Sequence, residues 1–340
     1  MIQAEEILNK LVEKKDLTVA EARAFLNGVG NGISEVQAGS ILTALRMKGE
    51  SSSEIVGLVE EMRRKMLKIK ANNAIDIVGT GGDGSGTFNI STAAAFVAAG
   101  AGAGVAKHGN RAASSRSGSA DVLESMGVNI QLTREQAEEV FQKAGMVFLS
   151  APMFHPAMKD IVAVRKALKI RTIFNILGPF ANPAGTRRQL VGVPNADIAK
   201  KMAKAATKLG YTRLLIVTSE DGMDEVSLSA KTRAYEVRGK SLRTFIIDPK
   251  KYGFKKSAKR DILGGSAEEN AAILREILDG KKGARRDIVV LNAGFALVVA
   301  GLARNAREGI QRAEESIDSG KALKVLENLI KETQKFRNML

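Results

Sequence analysis

Cysteine is absent from this sequence of 340 residues, and histidine occurs only as His108 and His155. The absence of cysteine excludes disulfide bonds, thiolate zinc sites and cysteine nucleophiles. Two histidines cannot form a histidine-rich metal centre, so any metal chemistry must rest on carboxylate, hydroxyl and phosphate oxygens. Hard oxygen ligands of this kind favour magnesium over zinc.

Aromatic residues and long apolar runs are scarce as well. Aromatic residues make up 4% of the chain and tryptophan is missing. No stretch approaches the roughly 20 uncharged apolar residues that a membrane span needs. Residues 1–15 alternate charged and apolar side chains and lack the apolar core of a signal peptide. We therefore expect a globular protein of the cytoplasm with no membrane partner.

The net charge is +15 and is unevenly distributed. Residues 1–70 carry 11 Lys/Arg against 10 Asp/Glu, whereas residues 240–260 alone contain eight Lys/Arg. Such an excess favours anionic partners, either nucleic acid or a polyphosphorylated metabolite. The nucleic-acid interpretation is the less favoured one, because the few aromatic side chains leave little platform for base stacking.

The chain divides into two parts with different patterns. In residues 1–70, three capping boxes predict helix starts: Thr18 with Glu21, Ser34 with Gln37, and Ser51 with Glu54. From residue 71, short β-rich runs at 75–78, 105–107, 147–149, 214–218 and 288–291 alternate with helical patterns at 92–101, 135–144 and 196–209. We predict an α/β protein: a small all-helical domain, residues 1–70, and a large domain, 71–340, with a mostly parallel central sheet flanked by helices.

The most informative passage is residues 76–92, which follow the first predicted strand and lead into an alanine-rich helix. Its glycines allow positive φ and a close approach of the backbone to a ligand. Together with the start of the following helix, the loop amides form an anion site. The passage lacks the Gly-Lys-Ser/Thr ending of a Walker loop. A flexible turn is the alternative interpretation.

A second polar loop, residues 108–121, follows the strand predicted at 105–107. Lys107, Arg111 and Arg116 supply cations and the serines supply hydroxyls, a combination suited to a diphosphate and a ribose phosphate. Ser119 and Asp121 also fit a helix start. A solvated basic turn is the competing interpretation.

Two further features bear on metal and acceptor binding. Asp224 and Glu225 follow the strand predicted at 214–218, where neighbouring acids can face one cluster of hard cations or simply lie on the surface. Arg165 offers a planar fork for a carboxylate, and a structural salt bridge is its alternative role. His108 and His155 are each open to a binding role or to plain packing.

These motifs together resemble those of the anthranilate phosphoribosyltransferases. The resemblance rests on Gly79-Thr80-Gly81-Gly82-Asp83, Asn89-Ile90-Ser91-Thr92, Lys107-His108-Gly109-Asn110-Arg111, Ser114-Ser115, Gly118-Ser119-Ala120-Asp121, His155-Pro156, Val164-Arg165, the run 171–179, Asn182-Pro183, 224–227, Gly264-Gly265, 269–271 and 291–293. They span nearly the whole chain. Phe180, where leucine is common, and the basic run 250–260 are the departures from the family pattern, and neither touches the implied chemistry.

The resemblance implies transfer of the phosphoribosyl group of 5-phosphoribosyl 1-diphosphate to the amine of anthranilate, with release of diphosphate, as a step of tryptophan biosynthesis. For the donor it implies Gly79, Gly82, Asp83, Thr87, Asn89, Ile90, Ser91, Thr92, Lys107, His108, Gly109, Asn110, Arg111, Ala112, Ala113, Ser114, Ser115 and Ser119. For anthranilate it implies Gly79, His108, Asn110, Arg165, Gly178 and Pro179. For magnesium, two ions per subunit, it implies Ser91, Asp224 and Glu225.

The family resemblance also implies a homodimer formed through the helical domain, which residues of about 168–188 would join. The closest enzymatic alternative is a phosphorylase of pyrimidine nucleosides, a group of similar fold and loop placement. The intact run 107–111 and the adjacent acids Asp224 and Glu225 favour the transferase. No residue is predicted as a general base, because an aryl amine is already nucleophilic and orientation can supply much of the rate.

Overall fold

The computed structural model describes residues 4–112 and 116–337. Within them the strands are β1 (Ile75–Gly79), β2 (Val105–Gly109), β3 (Met146–Ser150), β4 (Arg188–Gly192), β5 (Arg213–Ser219), β6 (Thr232–Arg238) and β7 (Ser241–Ile247). The α-helices are α1 (Ala4–Val12), α2 (Val19–Gly28), α3 (Glu35–Lys48), α4 (Ser52–Lys65), α5 (Ile90–Gly100), α6 (Ser119–Ser125), α7 (Arg134–Ala144), α8 (Ala151–Phe154), α9 (Lys159–Leu168), α10 (Phe174–Leu177), α11 (Ala196–Ala206), α12 (Ala267–Leu278), α13 (Ala284–Ala300), α14 (Ala306–Asp318) and α15 (Lys321–Gln334).

The N-terminal part of the chain is a bundle of α1 to α4. Thr18, Ser34 and Ser51 begin α2, α3 and α4, and each is part of a complete capping box, as predicted. The buried side chains of these helices form a core with residues from α9 and α10, among them Val164 and Phe174. The bundle is therefore completed by a segment that lies more than ninety residues further along the chain.

The second part is an α/β unit around one seven-stranded sheet of order β3-β2-β1-β4-β5-β6-β7. The five strands from β3 to β5 are parallel, and β6 and β7 add an antiparallel edge. The prediction of a mostly parallel sheet is confirmed. Because β1 has β2 on one side and β4 on the other, the connections diverge there. Parallel sheets bind ligands at the carboxyl ends of the strands near such a point.

One predicted strand is wrong. Residues 288–291 lie in the middle of α13, a helix of 17 residues that is buried along nearly its whole length. A helix that is apolar on all sides loses the helical periodicity that would distinguish it from a buried strand. Strands β4, β6 and β7 were not predicted; β6 and β7 carry charged and polar residues, and β7 forms a largely exposed edge of the sheet.

The bundle packs against the α/β unit through α4 and α11, and one core cluster continues from the bundle to one face of the sheet. Arg63 of α4 reinforces this contact by donating to the carbonyl oxygens of Phe180 at 2.7 Å and Leu209 at 2.8 Å, and to the Tyr211 hydroxyl at 3.0 Å. Among the helices of residues 4–112 and 116–337, none is long and apolar enough to cross a membrane.

Candidate active site

The glycine-rich loop leaves the carboxyl end of β1 and is held from two sides. The Thr80 amide donates to the Gly192 carbonyl at the end of β4, at 2.9 Å. On the far side, Gly86 accepts a hydrogen bond from the Gly264 amide at 2.9 Å. Gly81, Gly82, Gly84 and Gly86 all have positive φ, between 64° and 74°. Only glycine adopts this conformation without strain, so these four positions bring no side chains of their own to the loop.

The first turn of α5 lies beside the acidic pair. The Ser91 amide donates to Glu225 Oε1 at 3.1 Å. Asn89 precedes the helix, and its side-chain oxygen accepts from Asn270 Nδ2 at 3.0 Å rather than capping the helix. The buried Thr92 hydroxyl has no hydrogen-bond partner within the described chain. The Thr92 hydroxyl is therefore the unused donor at the helix start, whereas the Ile90, Ser91, Thr92 and Ala93 amides already have acceptors.

Lys107 on β2 lies at the centre of the site and is almost fully buried, with 2% exposure. Its ammonium group donates to the Ile77 carbonyl at 2.5 Å and to the Ser91 hydroxyl at 3.4 Å. Burial lowers the pKa of Lys107, while the nearby carboxylates of Asp76 and Glu225 raise it. A buried cation beside the glycine-rich loop can bind an anionic ligand through charge-assisted hydrogen bonds.

Asp76 on β1 supports this arrangement from below. Burial raises the pKa of Asp76 to about 6, and the charge of Lys107 opposes that rise. Asn182 Nδ2 donates to Asp76 Oδ2 and to the Ala106 carbonyl, both at 2.8 Å. Asn182 thereby joins the two strands that carry the glycine-rich loop and Lys107. Asp76 Oδ1 has no hydrogen-bond partner in the part of the chain described.

Asp224 and Glu225 follow β5 and turn inward rather than lying on the surface. Asp224 Oδ2 accepts from the Gly81 amide at 2.7 Å. Burial and the neighbouring Asp83 carboxylate raise the pKa of Asp224 to about 6. Burial and the charge of Asp224 raise the pKa of Glu225 well above its usual value. The crowding of carboxylates at a buried site is relieved by a divalent cation or by protons.

The donor set of this cluster fits magnesium. It offers the carboxylates of Asp224 and Glu225 and the hydroxyl of Ser91, and the buried Asp83 Oδ2 has no partner among the residues described. No group of three or more His, Cys, Asp or Glu in residues 4–112 and 116–337 has the geometry of a complete protein cage for a metal. Magnesium is typically held by one or two carboxylates, with waters and substrate phosphates completing its octahedron.

The second polar loop is described only in part, since Ala113, Ser114 and Ser115 lie outside the described residues. Arg111 forms ion pairs with Asp121 at 3.2 Å and Glu124 at 2.5 Å. Asp121 also accepts from the Gly118 amide at 2.8 Å and so caps α6, the helix start predicted there. Arg111 therefore holds the loop to α6 and does not point freely into the site.

Arg165 lies on α9, on the bundle side of the cleft. Its guanidinium group is 5.7 Å from the centre of the Phe174 ring, at cation–π distance. Burial lowers the pKa of Arg165. It has no ion pair with any residue of the described ranges. A half-buried guanidinium without a counterion is suited to an anionic ligand, and the structural salt bridge considered above is not formed.

The two histidines pack together at the wall between the bundle and the sheet. Their ring centres are 5.1 Å apart. His108 Nδ1 contacts the Gly178 carbonyl at 3.1 Å, and His155 Nε2 contacts the Ala181 carbonyl at 2.9 Å. Burial lowers the pKa of His108 to about 3 and that of His155 to about 4, so both rings are neutral. The turn that begins with Gly178 and Pro179 thus lies against His108.

The structure brings most of the predicted site residues to one edge of the sheet. The ends of β1, β2 and β5 and the start of α5 carry Gly79, Gly82, Asp83, Thr87, Asn89, Ile90, Ser91, Thr92, Lys107, His108, Gly109, Asn110, Asp224 and Glu225. Ala112 and Ser119 continue the second loop, where the Ser119 hydroxyl lies 3.5 Å from the Asn110 carbonyl. Arg165 and Pro179 approach from the bundle side.

Several residues of the site had no role in the sequence interpretation. Asn270 holds Asn89, Asn182 joins β1 to β2, and the Arg171 guanidinium donates to the Gly81 carbonyl at 3.2 Å. Each lies far along the chain from its partner. In the sequence, these residues stood out only because they belong to the motifs quoted above. A motif does not show which residues its members contact.

Comparisons with known proteins agree with this architecture. The description "Glycosyl transferase family, helical bundle domain" matches residues 5–66, and "Glycosyl transferase family, a/b domain" matches residues 71–323. An anthranilate phosphoribosyltransferase of Pelotomaculum thermopropionicum is 47% identical over 329 residues, 96% of this chain and 95% of that protein. The crystal structure of the Thermus thermophilus enzyme of that name is 38% identical, with a TM-score of 0.90 over 96% of this chain and 99% of that one.

The enzyme of that name from Saccharomyces cerevisiae is similar in structure too. In complex with PRPP and Mg it is 30% identical, with a TM-score of 0.88 and 98% of both chains covered. Its complex with 4-fluoroanthranilate has 29% identity and a TM-score of 0.85 over 97% of both chains. Fold and site together define a glycosyl transferase with a helical bundle and an α/β domain. Within that class, the chain belongs to the anthranilate phosphoribosyltransferases.

Proposed function

We propose that the cleft between the bundle and the carboxyl edge of the sheet transfers the phosphoribosyl group from 5-phosphoribosyl 1-diphosphate to the amine of anthranilate. One observation carries the proposal. The Ser91 amide donates to Glu225 Oε1 at 3.1 Å, and the Lys107 ammonium donates to the Ser91 hydroxyl at 3.4 Å. Both contacts lie where the glycine-rich loop leads into α5. A cation, a helix start and an acidic pair at one point suit a magnesium-chelated diphosphate.

In this proposal the donor is bound by the two loops. The glycine-rich loop supplies its amides, Lys107 supplies charge, and the second loop completes the pocket for the ribose phosphate. The residues that we propose for donor binding are those that the family resemblance implies, the first of which is Gly79 and the last Ser119. Ser91, Asp224 and Glu225 would hold magnesium, at two ions per subunit. Crowding of these carboxylates, expressed in the raised pKa of Asp224, supports a need for divalent charge.

The chain acts mainly by positioning and by electrostatics. Negative charge develops on the diphosphate as it leaves the anomeric carbon, and the bound magnesium ions would stabilise that charge as Lewis acids. Lys107 and the amides of α5 add fixed positive charge at the same place. The ribosyl centre becomes oxocarbenium-like as the bond to diphosphate breaks. The anthranilate amine then forms the new bond to the same carbon and loses one N–H proton to solvent.

Anthranilate would bind on the bundle side. Arg165 offers a counterion for its carboxylate, and the rings of His108 and His155 form an uncharged wall next to Gly178. Asn110, Gly79 and Pro179 would border the same pocket. Burial of Arg165 strengthens the attraction between its charge and a carboxylate, because the local dielectric is low.

We further propose that the domains divide at residue 70, with residues of about 168–188 belonging to the bundle, and that closure of the bundle excludes water from the donor. The core formed by α9, α10 and the first four helices supports this division. Water otherwise competes with the amine for the reactive ribosyl carbon. Donor hydrolysis measured without anthranilate should therefore stay slow in the wild-type protein.

We propose a homodimer formed through the bundle. Val36 and Met47 of α3 are exposed by 79% and 83%, beside an apolar groove between α3 and α9. Large exposed apolar patches mark interfaces. Substituting both with glutamate should yield monomers in light scattering, whereas Ile246→Glu on the edge strand should leave the mass unchanged. A monomeric wild-type protein would contradict the proposal.

The assay of the proposed function follows phosphoribosyl anthranilate by fluorescence and diphosphate by a coupled reaction. Product should form only when both substrates and magnesium are present. Phosphorolysis of thymidine, measured in parallel, tests the phosphorylase alternative, and a salt-dependent gel shift tests nucleic-acid binding. Absence of product with both substrates and magnesium supplied would reject the transferase.

A further inference from the structure

The guanidinium group of Arg171 lies directly on the glycine-rich loop. Its Nη2 donates to the Gly81 carbonyl at 3.2 Å. A Cβ atom added to Gly82 would lie 1.3 Å from Arg171 Nη1, so the guanidinium covers the face of Gly82 where a side chain would otherwise be. Gly82 also has a φ of 74°. A side chain at position 82 would therefore displace the Arg171 guanidinium from this position.

Arg171 has no counterion among the residues that the structure describes. It forms no ion pair within residues 4–112 and 116–337, and its one hydrogen bond is to a carbonyl oxygen. Arg111 of the second loop is, in contrast, already paired with Asp121 and Glu124. A guanidinium presents a rigid fork of donors that matches phosphate oxygens bidentately. Arg171 is therefore free to exchange a weak contact with a carbonyl for a strong one with an anion.

The position of Arg171 in the chain links it to the acceptor side. It follows α9, which carries Arg165 six residues earlier. Val164 and Ile173, on either side of this segment, are both buried in the core of the bundle. A ligand that pulls Arg171 toward the α/β domain would thus move or fix the same segment that holds Arg165.

We propose that Arg171 binds the diphosphate of the donor and thereby places Arg165 for the acceptor. The inference rests on the proposed function and adds a coupling between the two substrates. Donor bound at the glycine-rich loop tightens acceptor binding, because the charge of the diphosphate fixes the segment that joins Arg171 to Arg165. By linkage, acceptor tightens donor binding by the same factor.

The test uses the full-length protein and the variants R171Q and R171K, with K166Q as the matched control. Lys166 is an exposed cation on the same segment and forms no ion pair among the described residues. Titration calorimetry measures the affinity for the donor with magnesium, and the affinity for anthranilate with and without inorganic diphosphate and magnesium. Circular dichroism melting checks that each variant folds.

R171Q should weaken donor binding by about 10- to 100-fold. In this variant, the affinity for anthranilate should be about the same with and without diphosphate. R171K should retain part of the donor affinity, because it keeps the charge but not the fork. K166Q should match the wild type in both measurements. A residue with a merely structural role would lower the melting temperature without changing the coupling.

The inference is overturned if R171Q binds the donor within about twofold of the wild type and diphosphate still tightens anthranilate binding. It is also overturned if K166Q loses as much donor affinity and coupling as R171Q. The loss of any positive charge on this segment would then explain the effect. Turnover by the wild type tests the proposed function separately, so failure of one does not imply failure of the other.

Discussion

Gly192, the last residue of β4, lies against the main chain of Asp224, so that a Cβ atom at position 192 would be 1.5 Å from the Asp224 carbonyl oxygen. The acidic pair can take its inward position only because this strand ends in glycine. Gly79 on the neighbouring strand β1 shows the same relation, with 2.3 Å from its added Cβ to Asp224 Oδ2. Two strand ends thus shape the cleft in which Asp224 and Glu225 lie.

Gly192→Ala should therefore disable the metal site without touching any ligand. The added methyl group must displace the backbone of Asp224, and we expect turnover to fall by about 100-fold or more with a raised requirement for magnesium. Magnesium activation curves measure this effect. Gly39→Ala on α3, where the added Cβ would lie 3.6 Å from its nearest neighbour, is the control and should remain active. Normal magnesium activation in Gly192→Ala would show that Asp224 holds no metal.

Substituting Asp224→Asn and Glu225→Gln together should abolish turnover while preserving the fold. The amides keep the shape and the acceptor oxygens that accept from the Gly81 and Ser91 amides, but they remove the charge that we propose binds magnesium. We expect a loss of at least about 100-fold in kcat. Glu220→Gln, an exposed acid on the same turn, is the matched control. Turnover that survives the double substitution would exclude a metal role for the pair.

Magnesium affinity should fall as the pH decreases through about 6. The pKa of Asp224 is raised to about 6 and that of Glu225 well above its usual value, so both carboxyl groups become protonated in a range where ordinary acids stay charged. Protons then compete with magnesium, by up to about tenfold in affinity per pH unit for each group. Apparent magnesium constants between about pH 7.5 and pH 5 measure the competition. A flat profile would argue against these ligands.

Asp224→Asn should stabilise the magnesium-free protein at neutral pH. The pKa of Asp224 is about 6 in the folded protein against an ordinary value of 3.8, so the folded state binds the proton more tightly. The stability linked to that proton is fully present below pH 3.8 and is lost as the pH rises through about 6. Asparagine resembles the protonated form and should gain about 1–3 kcal/mol near pH 7.5. Denaturant melts without magnesium, repeated near pH 4, should show the difference vanish.

Arg165→Gln should raise the KM for anthranilate by about 10- to 100-fold and leave donor affinity nearly unchanged. The half-buried guanidinium has no ion pair within the described residues, and removing it would leave the anthranilate carboxylate without a counterion. Arg165→Lys keeps the charge but loses the planar fork, so its KM for anthranilate should lie between those of the wild type and Arg165→Gln. Initial rates at saturating donor separate the KM for anthranilate from kcat. An unaltered KM would show that the anthranilate carboxylate does not bind at Arg165.

Local sequence patterns were sufficient wherever neighbouring residues determine the structure. The capping boxes at Thr18, Ser34 and Ser51 start helices as predicted, because each satisfies backbone amides within its own turn. The glycine-rich loop follows β1 and leads into α5 as predicted, since its glycines and the alanine-rich run act within a few residues. The strand predicted at 288–291 failed because burial on all sides erased its periodicity.

The sequence by itself determined the two-part organisation, the mostly parallel sheet and the segments that we propose carry phosphate and metal chemistry. Only the tertiary structure decided that Asn89 meets Asn270, 181 residues away, that Gly192 makes room for Asp224, and that Arg171 covers Gly82. Contacts of this kind depend on which strands become neighbours and how closely their ends approach. Strand order follows from the packing of the whole domain, and no pattern within a single segment encodes it.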